Sequence, residues 1–235
     1  EDLYAGVEFH PVPHELAEVL GKLSRPFHVF KDLPTDQYAV SCKVNSKHGS
    51  ERIARAAFEF ARHHNRRKVT IVHKANVVRA TDGLFLEEAR KVAREFPGIQ
   101  CDEANVDAIC MWLLKNPFSY DVLVAPNLYG DIISDLAAQM VGGLGFGCSG
   151  NIGQRLAVFE PSHGSAPKYA GQYKVNPIAT ILAAKMMLDW LGEKEKGAQL
   201  ERATAAVIKG GRVRTYDMGG SHSTMEMAEA IAACL

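Results

Sequence analysis

Five side chains of this 235-residue chain have the types and spacing for cation binding and proton transfer. Asp131 and Asp135 stand four apart in a run that reads as helix, so both carboxylates share one face. Two like charges at that spacing repel by roughly 0.2–0.5 kcal/mol on an exposed helix, a cost that a divalent cation removes. An all-oxygen donor set suits Mg2+ or Mn2+, and Asp107, in the run Asn-Val-Asp-Ala, is a candidate third carboxylate. On spacing alone the pair also reads as an acid favoured by the helix dipole followed by a solvated one. Lys74 ends a strand-like run, a place from which side chains point into the crevice of an α/β sheet and could shuttle protons. An exposed strand-end lysine fits the same residues. Tyr4 could donate or accept a proton, although a lone tyrosine also fits a half-buried core position, and His73 reads as structural.

A second group surrounds His163 in Glu-Pro-Ser-His-Gly-Ser-Ala-Pro-Lys-Tyr-Ala-Gly, residues 160–171. The small residues Gly164, Ser165 and Ala166 allow backbone to approach a flat ring or a phosphate closely. Lys168 can meet a phosphate as a point charge, and Tyr169 can stack or hydrogen-bond. A turn with a satisfied histidine is the plain alternative. Gly145 to Gly150 matches the Gly-x-Gly-x-x-Gly dinucleotide fingerprint literally, but it follows a helical run and opens no helix, so we read it as a chance match.

The elements that must position these residues alternate between strand and helix. Residues 39–44 alternate apolar and polar as a half-buried strand does. Ser50 is expected to cap a helix whose apolar face is Ile53, Ala57, Phe60 and Ala61. Strand is expected at 68–72, helix at 84–96, helix at 106–114, a buried strand at 121–125 and helix at 132–141. Asn176 and Pro177 open a helix to residue 190, and Ser223 with Glu226 forms a capping-box pattern. This alternation predicts an α/β architecture. A compositional break near residue 142 is the best domain boundary and divides the chain into residues 1–141 and 142–235.

Composition narrows the function classes. Twenty-seven basic and 27 acidic side chains are scattered along the chain, which leaves no electrostatic footprint for nucleic acid or an anionic membrane. No apolar run reaches the roughly 18 residues of a membrane span. Five cysteines without a Cys-x-x-Cys pair fit reduced thiols in a cytoplasmic protein better than a disulfide framework or zinc site. The opening Glu-Asp-Leu-Tyr has no signal-peptide character and reads like the middle of a protein.

Taken together, HKANVVRATDGLF (73–85), NLYGDIISDLAAQMVGGLGFGCSGNIG (127–153) and FEPSHGSAPKYAG (159–171) resemble the metal-dependent β-decarboxylating dehydrogenases of isocitrate, 3-isopropylmalate and homoisocitrate. The resemblance implies a two-domain isopropylmalate-dehydrogenase-like α/β fold, of which this chain would be the C-terminal two-thirds, with 1–141 as the small dimerisation and catalytic domain and 142–235 as the C-terminal part of the large cofactor-binding domain. The opening residues and the long interval from Tyr4 to Lys74 look most like isocitrate dehydrogenase. Carried over residue by residue, Tyr4 resembles the acid that protonates the enol, Lys74 the lysine that handles the substrate hydroxyl proton, and Asn76 a substrate contact. Asp107, Asp131 and Asp135 match the metal-site aspartates, with Lys74 and Asp107 reaching into the site of a partner subunit in a homodimer. His163, Gly164, Ala166 and Asn176 match the adenine and ribose end of the dinucleotide site. Lys168, Tyr169 and Tyr216 match the phosphate side of NADP-type members, although Gly220 and Asn116 stand where some of these carry arginine, and NAD remains an alternative. The resemblance thus implies oxidation of isocitrate to 2-oxoglutarate and CO2. Homoisocitrate or 3-isopropylmalate dehydrogenase, or a non-catalytic subunit, are the alternatives.

Overall fold

The computed structural model describes residues 1–235 and divides into two compact units, Glu1–Ile132 and Ile133–Leu235. The first unit opens with the short strand β1 (Glu8–Phe9), helix α1 (His14–Leu23) and strand β2 (Val40–Ser41). β1 and β2 pair antiparallel, Phe9 opposite Val40. The half-buried strand expected at 39–44 is therefore only two residues long in the ladder, extended by a bridge between Asp2 and Val44.

Helix α2 (Lys47–His63) and strand β3 (Lys68–His73) follow, then α3 (Thr81–Ala93), β4 (Gln100–Asn105), α4 (Val106–Lys115), β5 (Val122–Val124) and α5 (Asn127–Met140). The strands form one parallel sheet in the order β4-β3-β5, with β3 paired on both edges. Central strands of parallel sheets read as continuous apolar or β-branched runs, as Val69-Thr70-Ile71-Val72 does. Val69 and Ile71 point to the face where Ala54, Phe58 and Ala61 of α2 meet Phe85, Leu86, Ala89 and Val92 of α3.

Helix α2 departs from expectation. Its cap is Ser46, whose hydroxyl accepts from the Gly49 amide at 3.0 Å, and Ser50 is buried inside the helix. The face that packs is Ala54, Phe58 and Ala61, whereas Ile53 and Phe60 are exposed. Two apolar stripes coexist on this helix, and only the sheet decides which one is covered.

The second unit contains the hairpin β6 (Cys148–Ile152) and β7 (Ala157–Pro161), then α6 (Ile178–Trp190), α7 (Lys194–Gly210) and α8 (Thr224–Ala232). Ile178, Ala203, Met227 and Ile231 form its core. At the start of α6, the Asn176 side chain accepts from the Ile178 amide at 3.0 Å, so the helix starts one residue later than expected with the same asparagine doing the capping. The capping box of α8 is complete: Ser223 accepts from the Glu226 amide at 3.2 Å, and the Glu226 carboxylate accepts from the Ser223 amide at 2.7 Å. No helix is long and apolar enough to cross a membrane.

Candidate active site

In an open parallel sheet, ligands bind outside the carboxyl ends of the strands, where the chain leaves one strand to either side. The order β4-β3-β5 puts such a switch at the end of β3. Lys74 is the residue after β3, Asp107 lies in the first turn of the helix after β4, and Asp131 lies near the start of the helix after β5. Three of the candidates thus follow the same edge of one sheet.

Lys74 and Asp107 are joined. The Lys74 ammonium lies 2.5 Å from Asp107 Oδ1, with the lysine largely covered and the aspartate largely exposed. The bond from Lys74 holds the Asp107 carboxyl below the usual carboxylate range. Two amides of the following turn, Val77 and Val78, donate to the Lys74 carbonyl at 2.9 and 2.8 Å and fix the backbone there. Asn76 stands exposed in that turn.

Tyr4 and Asp131 form a second pair. The Tyr4 hydroxyl donates to Asp131 Oδ2 at 2.5 Å. That bond, with the carboxylate's charge, raises the phenol above the ordinary tyrosine range and keeps its proton on. Asp131 is one turn into α5, not at its first residue, because the helix begins at Asn127. Asp135 is exposed one turn further along the same helix.

Within one chain, no three His, Cys, Asp or Glu side chains converge as a metal cage would require. The all-carboxylate chemistry of Asp131 and Asp135 suits a hard divalent cation, but these two alone make an incomplete donor set.

The second unit carries a cavity of about 510 Å³. His163, Gly164, Ala166, Asn176 and Tyr216 line it, together with Gly142 to Gly145, Gln139, Val175 and Asp217. The loop from Gly142 to Gly145 is glycine for cause: Gly142 and Gly143 have φ of 122° and 104°, and a Cβ on Gly145 would fall 2.4 Å from Asp217 Oδ2, inside its contact distance. Ala166 holds φ 46° without being glycine, a strained conformation at the cavity wall. His163 Nδ1 lies 2.8 Å from its neighbour's carbonyl, Gly164 O. Ser165 is exposed and is not part of the lining.

Lys168 and Tyr169 sit beside the cavity. The Tyr169 ring packs on Tyr216 at 5.5 Å between centroids. Lys168 lies 4.8 Å from the Tyr169 centroid. A second cation was missed in the sequence: Lys174 lies 5.3 Å from the Tyr169 ring and 4.9 Å from the Tyr216 ring. The bond from Lys168 to the Tyr169 hydroxyl, with the charge of Lys174, draws that phenol below its usual range. Asp217 was also missed; it accepts from Asn176 Nδ2 at 3.0 Å and from Thr215 Oγ1 at 2.5 Å. Lys174 lies two residues before Asn176 and Asp217 adjoins Tyr216, but only the folded loops bring Lys174 to the two rings and Asp217 to the Asn176 side chain. At Gly220, a Cβ would meet the Arg214 carbonyl at 2.2 Å, so no side chain can stand there without moving the backbone. The cavity, its aromatic pair and the two cations fit a nucleotide ring with an anionic group alongside.

Two bonded pairs follow the strands of the first unit, and the second unit carries a cavity, on an α/β frame. Residues 1–231 match the family model described as isocitrate/isopropylmalate dehydrogenase, and the chain belongs to that family of decarboxylating dehydrogenases. The chain is 48% identical over 193 residues to the 3-isopropylmalate dehydrogenase of Archaeoglobus fulgidus, covering 82% of this chain and 59% of that one. It is 44% identical over 241 aligned residues to the isocitrate/homoisocitrate dehydrogenase of Thermus thermophilus, covering 100% of this chain and 72% of the relative. The crystal structure of isocitrate dehydrogenase from Methylococcus capsulatus superposes with a TM-score of 0.87 at 42% identity, over 100% of this chain and 64% of that chain. The chain therefore spans about three-fifths of the length of the archaeal relative. Members of the family typically use a divalent metal and NAD(P), and are dimeric or subunits of multimers.

Proposed function

We propose that the protein carrying this chain oxidises isocitrate to 2-oxoglutarate and CO2, with NADP+ as the hydride acceptor and Mg2+ or Mn2+ as the metal. The observation that carries this reading is the division of labour between two bonded pairs, Lys74 with Asp107 and Tyr4 with Asp131. A 2-hydroxy acid losing its β-carboxylate needs one group to take the hydroxyl proton and another to return a proton to carbon. The Lys74 ammonium donates to Asp107 Oδ1 at 2.5 Å, and this pair would serve the hydroxyl. Tyr4, whose phenol keeps its proton, serves the carbon that the carboxylate leaves. When bound, a cation on Asp131 and Asp135 would supply Lewis-acid polarisation, and a dinucleotide on His163, Gly164, Ser165, Ala166, Asn176 and Tyr216 the hydride acceptor. Asn76 would contact substrate beside Lys74.

In a homodimer with shared sites, Asp107 of a second copy of the chain would complete the metal donors. The large apolar side chains left open on and after α4, Met111, Leu114 and Phe118, support a second copy as well. Isocitrate is favoured over 3-isopropylmalate by the long interval from Tyr4 to Lys74, which the alignment with the Thermus isocitrate/homoisocitrate enzyme spans. NADP+ is favoured by Lys168 and Lys174 at the Tyr169 and Tyr216 rings. A cytoplasmic setting is supported by five unpaired cysteines. The test is kcat/KM for isocitrate, homoisocitrate and 3-isopropylmalate with each dinucleotide in the presence of Mn2+. Preference for another acid overturns the substrate, preference for NAD+ overturns the cofactor, and turnover of none favours a non-catalytic subunit.

A further inference from the structure

Behind the two bonded pairs lies a buried ionic cluster. Lys43 follows β2 by two residues and projects into the interior of the first unit. Its ammonium is 2.5 Å from Asp82 Oδ1 and 3.3 Å from Asp2 Oδ1. The same ammonium lies 4.3 Å from the centre of the Tyr129 ring in α5. Asp82 is fully buried and Asp2 is 2% exposed. Burial works against the Lys43 charge, yet the bond to Asp82 and the two carboxylate charges more than offset it and hold the ammonium protonated.

One cation faces two carboxylates, and the remaining oxygens find backbone donors. Asp82 Oδ2 accepts from the Lys74 amide at 2.7 Å. Asp2 Oδ2 accepts from the Leu128 amide at 2.7 Å, in the first turn of α5, where the helix dipole favours an anion. Each contact falls on a segment that carries one of the acid–base or metal residues. Asp2 starts the turn holding Tyr4, Lys74 is itself held at its amide, and Leu128 precedes Asp131 on α5.

Asp2 also has φ 73° and ψ −146°, a backbone region that belongs to glycine. Such a conformation persists only where its surroundings over-determine it. The bonds from the Asp2 amide to the Val44 carbonyl at 2.7 Å, and from the Val44 amide back at 3.3 Å, tie it to the neighbour of Lys43. A buried charge triad is no more stabilising than well-packed apolar side chains of the same volume. What it supplies is direction: three of the four carboxylate oxygens accept a hydrogen bond from one amide or ammonium, and the fourth, Asp2 Oδ1, faces the Lys43 ammonium at 3.3 Å as an ion pair.

We propose that Lys43 is a positioning residue: by bridging Asp2 and Asp82 it holds the Tyr4 turn, the Lys74 backbone and the start of α5 in one mutual geometry. This rests on the roles proposed for Tyr4, Lys74 and Asp131, and its test reads geometry separately from turnover. In Lys43→Met, the amides of Lys74 and Leu128 exchange with solvent about tenfold faster, and together, while Ile71 in the core of β3 is unchanged. Either amide unaffected, or only one accelerated, overturns the proposal. In turnover, kcat falls about a hundredfold, as misplacement of reacting groups by an ångström would cause. The KM for the dinucleotide stays as it was, and Lys43→Arg, which keeps the charge, recovers part of kcat. A lowered kcat without faster exchange at the two amides also overturns it. Should Lys43→Met not fold, the unsubstituted protein decides. In sub-denaturing urea the Lys74 and Leu128 amides open in one event with one urea slope, and separate slopes overturn the coupling. If no family acid is turned over, the proposed function fails while the exchange measurement still judges Lys43.

Discussion

Tyr4 donates its only hydroxyl proton to Asp131, and that bond is the first cause of its raised ionisation. Replacing Asp131 by Asn removes both the charged acceptor and its field. The Tyr4 phenol is then expected to ionise at lower pH, which a ring-labelled NMR titration reads directly; an unchanged titration would separate the two residues. His73 makes the opposite case. Burial pushes it below the free-histidine value, with Glu103 at 4.0 Å only partly opposing. The folded state therefore binds fewer protons than the unfolded one below about pH 6.5. Stability should rise with pH up to that value and level off above it. His73→Asn, which keeps an acceptor for the Ala75 amide now bonded to Nδ1 at 3.1 Å, is expected to flatten that slope in urea unfolding.

Helix α2 and helix α8 show two ways in which an element is held. Phe58 is fully buried against α3 and β3, and its ring stacks on Phe96 at 5.4 Å. Phe58→Ala should cost about 3–5 kcal/mol of stability. Phe60, two residues along on the exposed face, should cost little on the same change, as surface substitutions do. Helix α8 depends on its start. Ser223→Ala removes the acceptor for the Glu226 amide and should cost about 1 kcal/mol, measured by urea unfolding. The Ser223–Glu226 pattern was legible because a capping box is local, spanning four residues. The packing face of α2 was not, because two apolar stripes share the helix and the sheet selects one.

At the scale of the molecule, the proposal requires that Lys74 and Tyr4 of one site come from different copies. Mixing a Lys74→Met chain with a Tyr4→Phe chain, after subunit exchange, should give a heterodimer with one site carrying both defects and one carrying neither. A part of wild-type turnover is then expected to return. No recovery after exchange, verified by differential labelling and sizing, would mean that both residues serve one subunit. The expectation follows from the family, whose members are dimeric or subunits of multimers.

What is local or linear in this protein is written in its sequence. The α/β class followed from alternating periodicity, the family resemblance from long motifs in order, and the capping of α6 and α8 from residues within one turn. Tertiary structure alone decided how distant residues meet. Tyr4 and Asp131 are 127 positions apart, and Lys74 and Asp107 33 apart, so nothing in their spacing announces either bond. Lys174 and Asp217 became visible only when the loops after β7 and α7 turned them toward Tyr169, Tyr216 and Asn176. Lys43 is the clearest case. A lone lysine after a two-residue strand carries no pattern, and its role depends on two carboxylates brought to it by the closing of the first unit. Periodicity records which face of an element is apolar; which polar atoms must share a buried charge is settled only when the elements pack.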